Sequence, residues 1–398
     1  MRILAIEPYY GGSHAAFLDG WRSRSRHDWT PLTLPASHWK WRMRHAAVTF
    51  ADEVARRAAD GQSWDALWCS DMLNLAEWRG LAPPAVRDLP CVAYFHENQL
   101  TYPVRHPDER DLQLAFTNLT TALAATQVWF NSEFHRDSFL SALDEMLRRM
   151  PDRAPRHCVE AIRAKSNVQP PGIEPFEKRP PRSPGPLRIG WAARWEYDKD
   201  PETFFQALDQ LIERGVDFRV SVLGQRFSEC PLVFERARRR LAATGRIDHW
   251  GYLAGREAYR AALQTIDVIV STARHEFFGL AVVEAVAAGA YPVLPRRLAY
   301  PEIFGLAVAE AVAAGAYPVP PTRRAYPEIL GANGSDDFFY GAGNSGGADA
   351  LADRLAQLAQ RLADPKPWEN ALGRAAACVG RFSWPVRAPA LDKALAHL

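Results

Sequence analysis

What the chain lacks narrows it first. It has no CxxC pair and no Cys/His ligand spacing; Cys69, Cys91, Cys158, Cys230 and Cys378 stand far apart. An odd, scattered set argues for a reducing compartment and against a structural zinc. No apolar run reaches the length of a membrane span, and the opening "MRILAIEPYY" is too short and acidic-tipped for a signal peptide. These absences predict a cytoplasmic protein that meets no membrane. No Asp-x-Asp metal motif falls in a plausible place, and none of the glycine turns discussed below makes a dinucleotide fingerprint. A dominant charge is missing too. The balance of 48 Lys and Arg against 46 Asp and Glu leaves +2, so whole-molecule charge neither demands nor excludes an acidic partner; local clusters matter more.

What is there reads as soluble and globular: 47% hydrophobic and 24% charged residues. At 398 residues, two domains are the default. Short apolar runs ("RILAIE", "PCVAYF", "TQVWF", "LRIGWAA", "FRVSVLG", "TIDVIVS", "AYPVLP") alternate with helical patterns, and "YYGGSH" breaks the first of them. Continuous apolar runs mean strands buried on both faces, hence parallel sheets between helices. Pro170 to Pro186, "PPGIEPFEKRPPRSPGP", carries seven prolines and reads as a linker. The expected organisation is an α/β domain over 1–172, a linker over 173–186, a second α/β domain over 187–384 and a closing helix over 385–398. Two doubly wound domains would face each other across a central cleft lined by the C-terminal ends of both sheets. The Gly-rich stretch from Gly331 to Ala350 is expected to be a surface loop.

The polar residues fall where such a cleft would use them. "HEFFGLAVVE" sets Glu276 and Glu284 eight residues apart, one just before a wholly apolar helix and one two turns inside it. Buried carboxylates need donors, which ligand hydroxyls supply; pairing of Glu284 with an arginine, and of Glu276 with the helix dipole, serves equally. Gly289 is a natural C′ residue for that helix. In "RWEYDKDPETFF", Asp200-Pro201 reads as an N-cap and N1 pair. That leaves Arg194 and Lys199 on a strand-to-helix loop, suited to a diphosphate or merely to ion pairs with Glu196 and Asp198. Gly11 and Gly12 permit close backbone approach, although the turn is not GxGxxG. His96, Glu97 and Asn98 follow a strand directly, Asn131 follows another, and Ser132 is an N-cap. "HWKWRMRH" interleaves Trp39 and Trp41 with Lys40, Arg42 and Arg44. Single-stranded RNA is held by such aromatic and cationic mixtures; a solvated helix face with inward tryptophans is the alternative.

One segment is written twice. Residues 278–303 and 304–329 match at 22 of 26 positions, so Glu302 and Glu310 repeat Glu276 and Glu284. Glu276 follows the strand "TIDVIVS" through "TARH", whereas Glu302 follows "RRLAYP". The first copy is therefore expected to supply the working pair, and the second to add a helix and short strand or be extruded.

E-x7-E after a strand, with an Arg/Lys loop upstream and two Rossmann-like halves, resembles the retaining GT-B glycosyltransferases of family 4. More specifically, "IEPYYGGSH", "LPASHWKWRMRHAA", "AYFHENQLTYPV", "FNSEFHRDSFL", "RWEYDKDPETFF", "WGYL" and "STARHEFFG" resemble the tRNA-queuosine mannosyltransferase family. The resemblance covers nearly the whole chain. It implies transfer of mannose from GDP-mannose to queuosine at the wobble position of tRNA-Asp, with the first domain on the acceptor side and the second binding the nucleotide sugar. It also implies retention through a front-face route and no metal. By motif, Arg194 and Lys199 would bind the diphosphate, Glu284 the ribose and Glu276 the mannose. Phe278 and Gly279 would line the donor site. His96, Gly11 and Gly12 would approach sugar and phosphates, and the backbone of Trp250, Gly251, Tyr252 and Leu253 would frame the guanine. Trp39 to Arg44 would meet the RNA. Two other readings stay open: a family 4 transferase acting on a lipid, glycan or small metabolite, and an inactive RNA-binding relic.

Overall fold

Runs of apolar residues with no polar alternation have to be covered on both faces, and the chain covers them in two separate parallel sheets. The computed structural model describes residues 1–104, 111–227, 230–305, 338–341, 347–362 and 365–398. They divide into two units: 1–173 with 382–398, and 174–381.

The first unit holds β1 (Arg2–Tyr10), β2 (Asp28–Pro35), β3 (Ala66–Ser70), β4 (Cys91–Phe95), β5 (Gln127–Phe130) and β6 (Ser166–Val168), in the order β2-β1-β3-β4-β5-β6. Every pairing is parallel. Sequence order reverses between β1 and β3, which makes their C-terminal ends the switch point where such sheets take ligands. Tyr9 and Tyr10 belong to β1 rather than breaking it, because β2 continues to pair as far as Pro35. The break comes at Gly12, which adopts φ 54° and starts the helix Gly12–Arg22.

The last helix, Trp384–Leu395, packs on this unit. Trp384 is buried, and a Cβ placed on either Gly20 or Gly172 would come within 2.2 Å of its ring. Asp392 accepts from Trp21 Nε1 (2.8 Å), Ser25 Oγ (2.7 Å) and the Arg26 amide (2.7 Å). These glycines make room for one indole, so Trp384→Ala should cost about 3–5 kcal/mol. Urea unfolding of the full chain, followed by hydrogen exchange in Gly12–Arg22, checks this.

The second unit holds β7 (Leu187–Ala192), β8 (Phe218–Leu223), β9 (Ile247–Gly251), β10 (Val268–Val270), β11 (Tyr291–Pro295) and β12 (Phe339–Tyr340), ordered β12-β11-β10-β7-β8-β9. The reversal here lies between β7 and β10. The stretch after Ile173 forms no regular element, as its prolines demand, but it is not a loose tether. Arg179 and Arg182 both grip the buried Asp267, at 2.9 and 3.0 Å, and Arg179 donates to Gly289 O at 2.9 Å. Gly289 closes the helix Leu280–Ala287 at φ 100°. The Gly-rich stretch expected to be all loop contributes β12 at Phe339–Tyr340. Of the duplication, the first copy supplies the helix Leu280–Ala287, β11 and most of the short helix Tyr300–Gly305. Beyond Gly305 the second copy, with Glu310, lies outside the described residues.

Candidate active site

At the β7/β10 switch point, two loops are tied to each other. Asp200 takes φ 49° as N-cap of the helix Pro201–Glu213 and accepts from the Thr203 amide and hydroxyl. Arg274 donates to Asp200 Oδ1 at 2.9 Å, its amide to Asp198 O at 2.8 Å, and Thr272 Oγ1 to Lys199 O at 2.8 Å. So held, Lys199 is buried, and its Nζ donates to His275 O (2.8 Å) and Glu276 Oε2 (3.2 Å), with Asp198 Oδ2 at 3.3 Å. Lys199 and Glu276 sit on the wall of a small pocket, with Gly279, Tyr300, Ser271 and Ala193. Gly279 takes φ 82° as N-cap of Leu280–Ala287, and a Cβ there would meet Tyr300 at 2.8 Å.

The charges are set by this packing. Burial opposes ionisation of Glu276, but Lys199 and the Gly279 amide outweigh it and hold its carboxyl below the ordinary range. Burial likewise opposes a charged Lys199, and Glu276 and Asp198 overcome it, raising the ammonium. His275 goes down to about 4 through burial and then Lys199, so it is neutral at pH 7. A fixed cation lining a pocket beside a helix N-terminus can hold a phosphate and stabilise a departing anion. Glu284, one face along the helix, accepts from Tyr259 Oη at 3.1 Å; burial raises its carboxyl against that bond and the nearby Arg256 and Arg260. Its direct partner is thus a tyrosine, not the arginine considered from sequence. Arg194 is exposed and pairs with Glu196 at 3.2 Å, as the ion-pair alternative foresaw. Phe278 is buried, filling core rather than facing open space. Trp250, Gly251 and Tyr252 line a second, wider pocket with Trp195, Gly224 and Arg226; Leu253 is not among its lining residues.

The first unit gathers its own polar group at the β1/β3 switch point. His96 follows β4: its amide donates to Asp71 Oδ1 (2.9 Å), and its carbonyl accepts from Asn131 Nδ2 (3.0 Å). Its ring stacks on His14 with centroids 3.9 Å apart. Glu7 and His14 were not singled out in the sequence, and neither was Asp71. Glu7 closes a run that otherwise reads as plain strand, yet a fully buried carboxylate in β1 is itself a signal. Asp71 is legible only once β3 is placed, since it follows that strand directly. Glu7, His14 and His96 bring ligand atoms within 4.8 Å of one another and could hold a metal ion; Glu7 Oε2 instead meets His14 Nδ1 directly, at 3.1 Å. Gly11 and Gly12 adjoin this group. Asn98 turns inward and bonds Thr101, which makes it structural.

The aromatic-basic stretch opens the helix Trp39–Ala59. Trp41 is 61% exposed and stacks on His45, while Trp39 packs partly against Met43, Met72 and Leu114. The two expectations for this stretch therefore divide between its tryptophans. Lys40 lies over the Trp39 ring at 5.5 Å, Arg44 pairs with Asp111 at 3.3 Å, and Arg42 donates to Pro35 O and Ser37 Oγ. Among the described residues no helix is long and apolar enough to cross a membrane.

Residues 2–173 match the family model described as tRNA-queuosine alpha-mannosyltransferase N-terminal, and residues 186–302 match glycosyl transferases group 1. A tRNA-queuosine alpha-mannosyltransferase of Drosophila melanogaster is 39% identical over 314 residues, 75% of this chain and 81% of that one. A GDP-mannose-dependent alpha-(1-6)-phosphatidylinositol dimannoside mannosyltransferase of Mycobacterium tuberculosis is 34% identical over 121 residues, 30% of each chain. Among solved structures, sucrose-phosphate synthase from Thermosynechococcus elongatus superposes with a TM-score of 0.64 at 13% identity, over 100% of this chain and 99% of its own. That last likeness shows the fold, two parallel α/β units of the GT-B kind.

Proposed function

Because the chain belongs to the tRNA-queuosine alpha-mannosyltransferase family and is a glycosyltransferase, we propose that it transfers mannose from GDP-mannose to queuosine in the wobble position of tRNA-Asp. The observation that carries the donor half of this reading is Lys199, a buried cation in a pocket at the switch point, held charged by Glu276 and Asp198. In the reaction the bond from mannose C1 to the diphosphate oxygen breaks and one from C1 to the acceptor hydroxyl oxygen forms. The acceptor's proton goes to the departing phosphate on the same face of the sugar, so configuration is retained. Lys199, with Arg194, neutralises the charge that gathers on GDP, as a metal ion does elsewhere, and no metal or other cofactor is required. Glu276 faces the mannose, Glu284 the ribose, and the backbone of Trp250 to Leu253 the guanine. The reaction takes place in the cytoplasm, where the tRNA is.

Incubation with queuosine-containing tRNA and a panel of nucleotide sugars, followed by nucleoside mass spectrometry, tests the whole reading. A hexose added to queuosine from GDP-mannose is expected. Transfer to a lipid or free glycan, with tRNA untouched, would replace it by the broader family 4 reading.

The RNA half rests on exposed Trp41, Lys40 and Arg44 beside half-buried Arg42, a ring and cations that suit an anticodon loop. Lys40→Ala/Arg42→Ala/Arg44→Ala should weaken tRNA binding and flatten its salt dependence by roughly one to two units of log–log slope. Affinity for GDP-mannose should stay unchanged. An unaltered slope would return this face to an ordinary solvated helix.

A further inference from the structure

Glu284 is held by a single side-chain hydrogen bond, and the residue that makes it has no part in the transfer as described. Tyr259 Oη donates to Glu284 Oε2 at 3.1 Å. Burial, then Glu284, raises the phenol well above its ordinary range, so Tyr259 keeps its proton and remains the donor. An ionised carboxyl has two oxygens and only accepts. Among the described residues the second oxygen of Glu284, Oε1, has no hydrogen-bond partner. Burial raises the carboxyl of this half-buried residue, and Tyr259 opposes that rise more strongly than Arg256 or Arg260.

Tyr259 stands where it does because its helix is fixed along its length. In Arg256–Thr265, Leu263 alone is buried, and Tyr259 lies one turn before it on the same face. The rest of the hold comes from the proline-rich stretch. Arg260 donates to Pro175 O at 2.7 Å and lies 3.8 Å over the Phe176 ring. Arg256 pairs with Glu174 at 3.5 Å, and Gln264 donates to Glu177 O at 3.3 Å. Arg179 donates to both Thr265 O (3.4 Å) and Gly289 O (2.9 Å), at the C-terminal ends of the helices that carry Tyr259 and Glu284. One rigid guanidinium thus ties the two helix ends together. All of these groups belong to the second unit. A contact needed only to join two helices would not call for a carboxylate, since burying one is costly.

We propose that Tyr259 is a positioning residue of the donor site: its hydroxyl fixes the carboxylate of Glu284 so that the other oxygen meets a ribose hydroxyl of the nucleotide. Tyr259 thereby sets the preference for a ribonucleotide over a deoxyribonucleotide without touching the substrate. The gain is preorganisation, because the Glu284 side chain is already ordered when the nucleotide arrives. This rests on the reading above that Glu284 faces the ribose.

Two variants of the full chain test it: Tyr259→Phe, which keeps the ring and removes the donor, and Glu284→Ala as reference. Titration calorimetry with GDP, 2′-deoxy-GDP and 3′-deoxy-GDP needs no acceptor, so it reads the donor site whatever the protein glycosylates. The wild type should bind GDP ~10-fold or more tighter than at least one deoxy analogue, the loss that follows removal of a hydrogen bond to a charged group. In Tyr259→Phe that preference should shrink to ~3-fold or less, with KM for GDP-mannose raised ~5–10-fold and kcat within about two-fold. A preference unchanged in Tyr259→Phe but lost in Glu284→Ala would overturn the positioning role. So would unfolding of Tyr259→Phe, which leaves the bond a staple between helices. Equal or absent binding of the three nucleotides by the wild type, or a preference that survives in Glu284→Ala, would instead remove Glu284 from the ribose.

Discussion

Replacing Lys199 by alanine is expected to lower the turnover of mannosyl transfer by ~10²–10³-fold, the loss typical of removing one preorganised group from a developing charge. Lys199 is the buried cation of the pocket, and two carboxylates depend on it. Its removal leaves Glu276 and Asp198 facing one another with no counter-charge, so Glu276 should take up a proton more readily than it now does. GDP should bind more weakly for the same reason, since an uncompensated carboxylate replaces the ammonium at the diphosphate. Arg194→Ala should cost less, about ten-fold, because that guanidinium is exposed and already shared with Glu196. Titration calorimetry with GDP, beside single-turnover assays, separates binding from chemistry. Wild-type GDP affinity and turnover in Lys199→Ala would reduce the residue to a structural ion pair.

The sequence makes this loop legible because capping chemistry is local. Asp200-Pro201 announces the helix start, and whatever lies between it and β7 must be loop at the sheet's C-terminal end. Ser132 and Gly289 are legible in the same way, as N-cap and C′ residue. Strands that are short or at an edge are not. β2 carries Pro31, two threonines and Asp28, so it lacks a continuous apolar run; β6 has three residues and β12 two. Without β3, Asp71 stays illegible, and with it the group around His96. That group is also illegible for a deeper reason. Glu7, His14, Asp71 and His96 come from four separate stretches, and only the strand order brings them together. The loop on Asp267 shows the opposite error: seven prolines read correctly as irregular chain, yet two arginines among them fix that chain to the sheet.

The doubled glutamates allow the sharpest comparison between sequence and structure. Glu276→Gln should reduce transfer by ~10²-fold or more, while Glu302→Gln should stay within about two-fold of the wild type, as substitutions outside a site generally do. The two residues stand in the same written context, but the fold gives them different neighbours. Glu276 leaves β10 through five residues, Ser271 to His275, pinned by Asp198, Asp200 and Lys199, and lines the pocket beside Gly279. Glu302 sits in the short helix Tyr300–Gly305, whose Tyr300 turns to Ser271 Oγ at 2.7 Å, while the Glu302 carbonyl accepts from Arg381 at 3.4 Å. Of the two, Glu276 alone follows β10 and faces the cation loop, and it alone meets the buried lysine. The strand of the first copy, β11, also fills the place in the sheet between β10 and β12. Each variant is assayed for mannosyl transfer to queuosine-containing tRNA, with thermal unfolding to show that it folds. Loss of activity in Glu302→Gln with Glu276→Gln intact would reverse the assignment and give the working site to the pair Glu302 and Glu310. Small and equal effects in both would mean that neither glutamate faces a substrate.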